Sequence, residues 1–120
     1  MKLHASGEGY LEAILVLHKR IDMVRSVDVA RHMEVSKPSV CHAVGILREG
    51  GFLTMDEEHY LHLTDIGREV AVKIYERHCF FMEQLIAAGV DPKIAEADAG
   101  RLEHVISSES FERLKETADQ

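Results

Sequence analysis

Two sets of side chains in this chain are of types that carry chemistry. Ser36, Lys37, Pro38, Ser39 and His42 lie within seven residues of one another. Serine hydroxyls suit phosphate oxygens and base edges, a lysine ammonium suits phosphate, and a proline ring suits a thymine methyl. The second set is imidazole and carboxylate, from 8 His and 21 Asp or Glu, which together are donors for divalent transition metals. Glu8 and Glu12 lie four apart, so a helix puts both carboxylates on one side, a spacing that a solvated acidic stripe shares. Spacing alone selects no ligand set, because a helical histidine is ordinarily a surface or core residue and the dense Cys/His pattern of a zinc finger is missing. No nucleophile–base pair stands out either, so the chain does not read as an enzyme.

The elements that must position the first set are two helices and a turn. Val27 to Met33 reads as a helix with Ser26 as its N-cap and Asp28 in its first turn. Glu34-Val35-Ser36 is the turn. Lys37 to Glu49 is the second helix, capped by Ser36, with Pro38 in the first turn where a missing N–H does no harm, and ended by Gly50-Gly51. Val40, Val44, Ile46 and Leu47 supply its apolar side. This is a helix-turn-helix, whose second helix enters the major groove of DNA. Arg25, with Arg31 and Arg48, is placed to add backbone contacts.

Around it, residues 1–6 read as a polar arm, and Gly7 to Lys19 as a helix capped by Ser6 with an apolar face of Tyr10, Leu11, Ile14, Leu15 and Leu17. Residues 52–55 and 59–63 read as strands joined at Asp56-Glu57-Glu58, the wing of a winged helix. Thr64 caps a long helix, Asp65 to about Ala88, with Ile66, Val70, Val72, Ile74, Phe80, Phe81, Leu85 and Ile86 on a broad apolar surface. Asp91 caps a helix over residues 93–106 that Gly100 interrupts, and Glu109 to Ala118 is the last helix, with Phe111 and Leu114 inward. The fold class is therefore mainly α. An N-terminal winged helix-turn-helix with a small β-hairpin wing (residues 1–63) precedes an all-helical domain (residues 64–120), for which the family resemblance described below implies dimerisation and metal binding.

Hydrophobic content of 46% supports a folded globule, and the longest aliphatic run, Ala13 to Leu17, is far below the ~20 residues that span a membrane. Two cysteines, Cys41 and Cys79, point to reduced thiols in the cytoplasm. A net charge of -7 argues against DNA binding until it is mapped. Residues 1–54 hold 7 Lys or Arg against 6 acids, residues 55–63 hold three acids and no base, and residues 64–120 hold 7 Lys or Arg against 12 acids. The acidity lies outside the helix-turn-helix, and bound divalent cations would offset it.

Several strings then converge. Val35-Ser36-Lys37-Pro38-Ser39-Val40, Leu61-His62-Leu63-Thr64 with Gly67, Arg77-His78, Gly89-Val90-Asp91 and above all Leu102-Glu103-His104-Val105-Ile106-Ser107 resemble the diphtheria toxin repressor family of metal-dependent transcriptional regulators. The resemblance runs from about Gly9 to Leu114. It implies a repressor that binds a palindromic double-stranded operator as a homodimer, with Mn²⁺ or Fe²⁺ as co-repressor, replaceable by Co²⁺, Ni²⁺ or Zn²⁺. By position, Glu12, His78, Glu103 and His104 match the family's metal ligands. Two positions depart from the pattern: Gly100 and Gly9 stand where the family usually has ligands. A second metal position of the family maps to Met82 and Glu96 beside His78 and looks poorly kept. The alternative is a winged-helix regulator with a degraded metal site that answers to another ligand or to none. The sequence stops before the SH3-like third domain of iron-sensing members, so either the chain resembles the two-domain form or it is a piece of a longer protein.

Overall fold

The structure, a computed structural model, describes residues 3–119. Its elements in order are α1 (Ala5–Ile21), α2 (Ser26–Met33), α3 (Lys37–Glu49), β1 (Leu53–Met55), β2 (Leu61–Leu63), α4 (Asp65–Ala87), α5 (Pro92–Val105) and α6 (Ser108–Ala118). The chain forms two compact units, one up to Val72 and one from Lys73 onward, and α4 starts in the first and continues into the second. The mainly helical class with one small hairpin agrees with the sequence reading.

The first unit closes over Leu11, Ile14, Val24, Val29, Val40, Leu47, Leu53 and Leu61, all almost fully buried. Its helices begin where their free N–H groups find acceptors. The Glu8 N–H donates to the His4 carbonyl (3.1 Å), so α1 starts at Ala5. His4 holds the cap position and Ser6 is already helical. Of the arm expected over residues 1–6, Met1 and Lys2 lie outside the described residues. At α2 the Arg25 N–H donates to Asp28 Oδ2 (2.9 Å), so Arg25 precedes the helix and Ser26 is its first residue rather than its cap. At α3 the expected cap forms, the Ser39 N–H donating to Ser36 Oγ (3.2 Å). Val40, Val44 and Leu47 form the buried stripe of α3, and Ile46, about 100° round from Leu47, is exposed.

The hairpin is antiparallel, with Leu53 opposite Leu63, Thr54 opposite His62 and Met55 opposite Leu61. Its strands are shorter than expected because Asp56 takes over the turn. Asp56 Oδ1 accepts the N–H groups of Glu58 (3.0 Å) and Tyr60 (2.9 Å), and His59 adopts φ 69°. Asp56 Oδ2 meets His62 Nε2 at 2.8 Å, and this hydrogen bond, with those from the backbone, holds the Asp56 carboxyl below its ordinary value of 3.8. The wing is tied back at its base, where the Leu61 N–H donates to the Val24 carbonyl (2.7 Å). His18 contacts the carbonyls of Asp22 (2.7 Å) and Leu61 (3.0 Å).

In the second unit α5 runs unbroken through Gly100, since one glycine costs a helix only about 1 kcal/mol. Asp91 caps it as expected, accepting the Lys93 N–H (3.0 Å). Its buried face is Ala95, Ala99 and Glu103, at i, i+4 and i+8. Phe81, Ala99 and Phe111 form the core, with Phe80, Met82 and Ile106 against it and Phe80 edge-on to both other rings. Ser107 caps α6 by accepting the Ser110 N–H (3.1 Å). Phe111 is inward as expected, whereas Leu114, Ile86, Val72 and Ile66 are exposed. No helix among the described residues is long and apolar enough to cross a membrane, and Cys41 and Cys79 are free thiols.

The junction between wing and α4 admits no side chain at Gly67. Its amide donates to Thr64 Oγ1 (3.1 Å), and Thr64 Oγ1 donates to the Gly51 carbonyl (2.7 Å). A Cβ at Gly67 would sit 2.0 Å from the Phe52 carbonyl oxygen, a backbone atom that cannot step aside. Gly67→Ala is expected to lower unfolding stability by roughly 3 kcal/mol in urea denaturation. A change under about 0.5 kcal/mol, the range of ordinary surface substitutions, would show that this junction is not close-packed.

Candidate metal centre

Three of the four expected ligands come together in the second unit. α4 carries His78, and α5 carries Glu103 on its buried face with His104 beside it. Glu103 is only 2% exposed. An isolated carboxylate at that depth is strongly disfavoured, so its surroundings must compensate. Each of its oxygens meets an imidazole: Oε2 lies 2.9 Å from His78 Nδ1, and Oε1 lies 3.2 Å from His104 Nε2. His78 uses its other face too, with Nε2 3.2 Å from Glu96 Oε1. Glu96, which the sequence reading had set aside, is therefore a partner of His78, though a largely exposed one. Glu12, the fourth expected ligand, lies on α1 in the first unit and is half-buried.

Two imidazoles and a buried carboxylate within hydrogen-bond reach form a mixed N/O donor set. That chemistry fits Mn²⁺ or Fe²⁺ and accepts Co²⁺, Ni²⁺ or Zn²⁺, while the soft thiolate set of a structural zinc site is not what these residues offer. The second carboxylate on His78 also fits, because an imidazole that gives one nitrogen to a metal ordinarily donates from the other to a carboxylate or carbonyl. Gly9 and Gly100 are not demanded by packing: a Cβ at either meets nothing within 4 Å.

The residues expected to meet DNA are at the surface of the first unit. Ser36, Lys37, Pro38, Ser39 and His42 are all exposed at the start of α3. The hydroxyls of Ser36 and Ser39 hydrogen-bond to each other at 2.8 Å, so capping and outward presentation coexist. Arg25 stands apart from this group, its guanidinium 4.4 Å above the Tyr60 ring at the wing. Cys41 is exposed on the same helix next to His42.

A winged helix-turn-helix followed by a helical unit in which two half-buried histidines meet a buried glutamate marks a class of DNA-binding regulator. Comparison with known proteins places the chain within that class. Residues 2–63 match the domain described as iron dependent repressor, N-terminal DNA binding domain, and residues 64–120 match the iron dependent repressor, metal binding and dimerisation domain. The chain belongs to the iron-dependent repressor family, as the motifs around Glu103-His104 imply. It is 32% identical over 108 residues to the transcriptional regulator MntR of Escherichia coli O6:H1, covering 90% of this chain and 70% of that protein. It is 31% identical over 115 residues to an HTH-type transcriptional regulator of Methanocaldococcus jannaschii, covering 92% of this chain and 90% of that one. Among solved structures, the manganese regulator SloR superposes with a TM-score of 0.85 at 26% identity, over 94% of this chain and 53% of SloR. The chain thus spans about half the length of that structure.

Position 100 offers a direct test of which helix face looks onto the cluster. Residues 100, 103 and 104 share a face of α5 at i, i+3 and i+4, and a side chain at 100 meets no obstacle. Gly100→Glu is expected to tighten Mn²⁺ binding about tenfold, the size of effect that supporting groups have at metal sites, measured by the loss of the free-ion electron paramagnetic resonance signal. Unchanged affinity would mean that position 100 faces away from the ion.

Proposed function

We propose that this protein is a metal-dependent transcriptional repressor with Mn²⁺ or Fe²⁺ as co-repressor, and that Glu103, His78, His104 and Glu12 hold the ion. The observation that carries the reading is the nearly buried Glu103 carboxylate with an imidazole at each oxygen. When bound, the ion supplies positive charge and directional coordination bonds. Glu103 offers the buried anion, His78 and His104 offer ring nitrogens, and Glu96 steadies the ring of His78 from its outer side. Glu12 enters as the position on α1 that matches a ligand of the family. As a ligand on α1 it makes loading of the site felt by the DNA-binding unit, which is what a co-repressor requires.

The reading gives residues 1–63 the DNA-binding role and residues 64–120 metal binding and dimerisation. Ser36, Lys37, Pro38, Ser39 and His42 face the operator, and Arg25 adds a contact beside the wing. Two copies reading successive major grooves account for a palindromic site. The matched domain descriptions support DNA binding and dimerisation, and E. coli MntR and SloR, a manganese regulator, support the regulatory role and the metal. We place the protein in the cytoplasm, where both free thiols are stable and where DNA lies, and we assign it no enzymatic activity.

The test is metal titration, anaerobic for Fe²⁺. Mn²⁺ at a hundred times its Kd is expected to stabilise the fold by about 2.7 kcal/mol and to allow recovery of a palindromic sequence from a random pool of DNA duplexes. Glu103→Gln should abolish both effects. Stability and DNA recovery that ignore Mn²⁺ and Fe²⁺ alike would overturn the proposal.

A further inference from the structure

Arg77 precedes His78 on α4 and is 5% exposed, the other charged residue besides Glu103 that is buried among the described residues. Buried guanidinium groups ordinarily pair with carboxylates. Among the described residues this one has no carboxylate partner. Its Nη1 donates to the backbone carbonyls of Glu103 (3.2 Å) and Ile106 (2.6 Å), and its Nη2 donates to Ser108 Oγ (3.2 Å). The guanidinium carbon lies 5.5 Å from the Phe111 ring centre, and Nε is buried without a hydrogen-bond partner.

These contacts converge on one place, the corner between α5 and α6. The last carbonyls of a helix have no partner within it and carry the negative end of its dipole. α5 ends at Val105 with Ile106 in an extended conformation, so no glycine cap serves those carbonyls. The Arg77 fork serves two of them and reaches the first residue of α6 with its other nitrogen. Glu103 is thereby gripped twice from adjacent positions of α4. Arg77 holds its main chain, and His78 meets its carboxylate at 2.9 Å.

A charge kept at this depth with one nitrogen unsatisfied is costly unless its geometry matters. We infer that Arg77 is the positioning residue of the metal centre: its fork sets the backbone of Glu103-His104, and with it the aim of both ligands. The inference rests on the metal-binding reading above. Lysine supplies the charge but one point donor in place of a planar fork, so it separates geometry from electrostatics.

The experiment compares the full chain with Arg77→Lys and Arg77→Gln, using Mn²⁺ alone as probe. Electron paramagnetic resonance reads both the Kd and the line shape of bound Mn²⁺, and circular dichroism reads the fold and melting of the metal-free proteins. Arg77→Lys is expected to stay helical, to bind Mn²⁺ on the order of tenfold more weakly and to broaden the bound signal. Arg77→Gln should weaken binding at least as much. If Arg77→Gln does not fold, Arg77→Lys decides, and Ser108→Ala, which removes one prong and leaves the charge, should show a smaller shift in the same direction. A folded Arg77→Lys with wild-type Kd and line shape would overturn the inference even if its melting temperature falls, because Arg77 would then only hold the corner. If the wild-type chain binds no Mn²⁺, anaerobic Fe²⁺ replaces it as the probe in the same comparison, and a wild-type chain that binds neither ion would instead overturn the metal-binding reading, and this inference with it.

Discussion

The second unit is built around a carboxylate that ought not to be where it is. Burying the charge of Glu103 in an apolar setting is expensive, and Ala95 and Ala99 before it on the same face have no polar atoms in their side chains to offer. His78 and His104 compensate from the two sides, and Arg77 fixes the backbone on which the carboxylate stands. On the metal-binding reading proposed above, the groups that compensate the buried carboxylate would also be donors to the ion, so fold and function would share one constraint.

The first unit depends on end effects. Its helices are short, and their positions are set by what satisfies their terminal N–H groups: Asp28 at α2 and Ser36 at α3. Ser36 shows how little separates structure from recognition. The hydroxyl that starts α3 is also exposed beside Lys37 and Ser39, at the end of the helix that carries partial positive charge. That polarity favours phosphate in a chain whose net charge is -7, so the acidic total would not oppose the local DNA contact proposed there.

Most of this architecture is legible in the residues, for physical reasons that differ from place to place. The caps at Ser36 and Asp91 are strong local signals and were read correctly; the starts of α1 and α2 were not, because the His4 carbonyl accepts the first helical N–H of α1 and the Asp28 carboxylate takes the Arg25 N–H at α2, leaving Ser6 and Ser26 inside their helices. Gly100 reads as a break, yet packing of Ala95, Ala99 and Glu103 carries α5 through it. Leu114 and Ile46 fit an apolar pattern and are exposed, since helical phase alone does not say how wide the buried stripe is. His78, Glu103 and His104 were named as candidate ligands through their resemblance to a family and not through spacing, and the structure puts each imidazole within 3.2 Å of the Glu103 carboxylate. Arg77 entered only as part of the Arg77-His78 string, with no role of its own, because its partners are carbonyls 26 and 29 residues along the chain, which have no signature in side-chain sequence.

The central claim is that the Glu103 carboxylate is the hub of a divalent metal site. The most direct measurement is a crystal structure with Mn²⁺, using anomalous scattering to locate the ion. The account predicts an anomalous peak within bonding distance of a Glu103 carboxylate oxygen, with ring nitrogens of His78 and His104 in the same coordination sphere. A Mn²⁺-saturated crystal with its peaks only on exposed acidic residues, and the Glu103 carboxylate still bonded to imidazole alone, would contradict it.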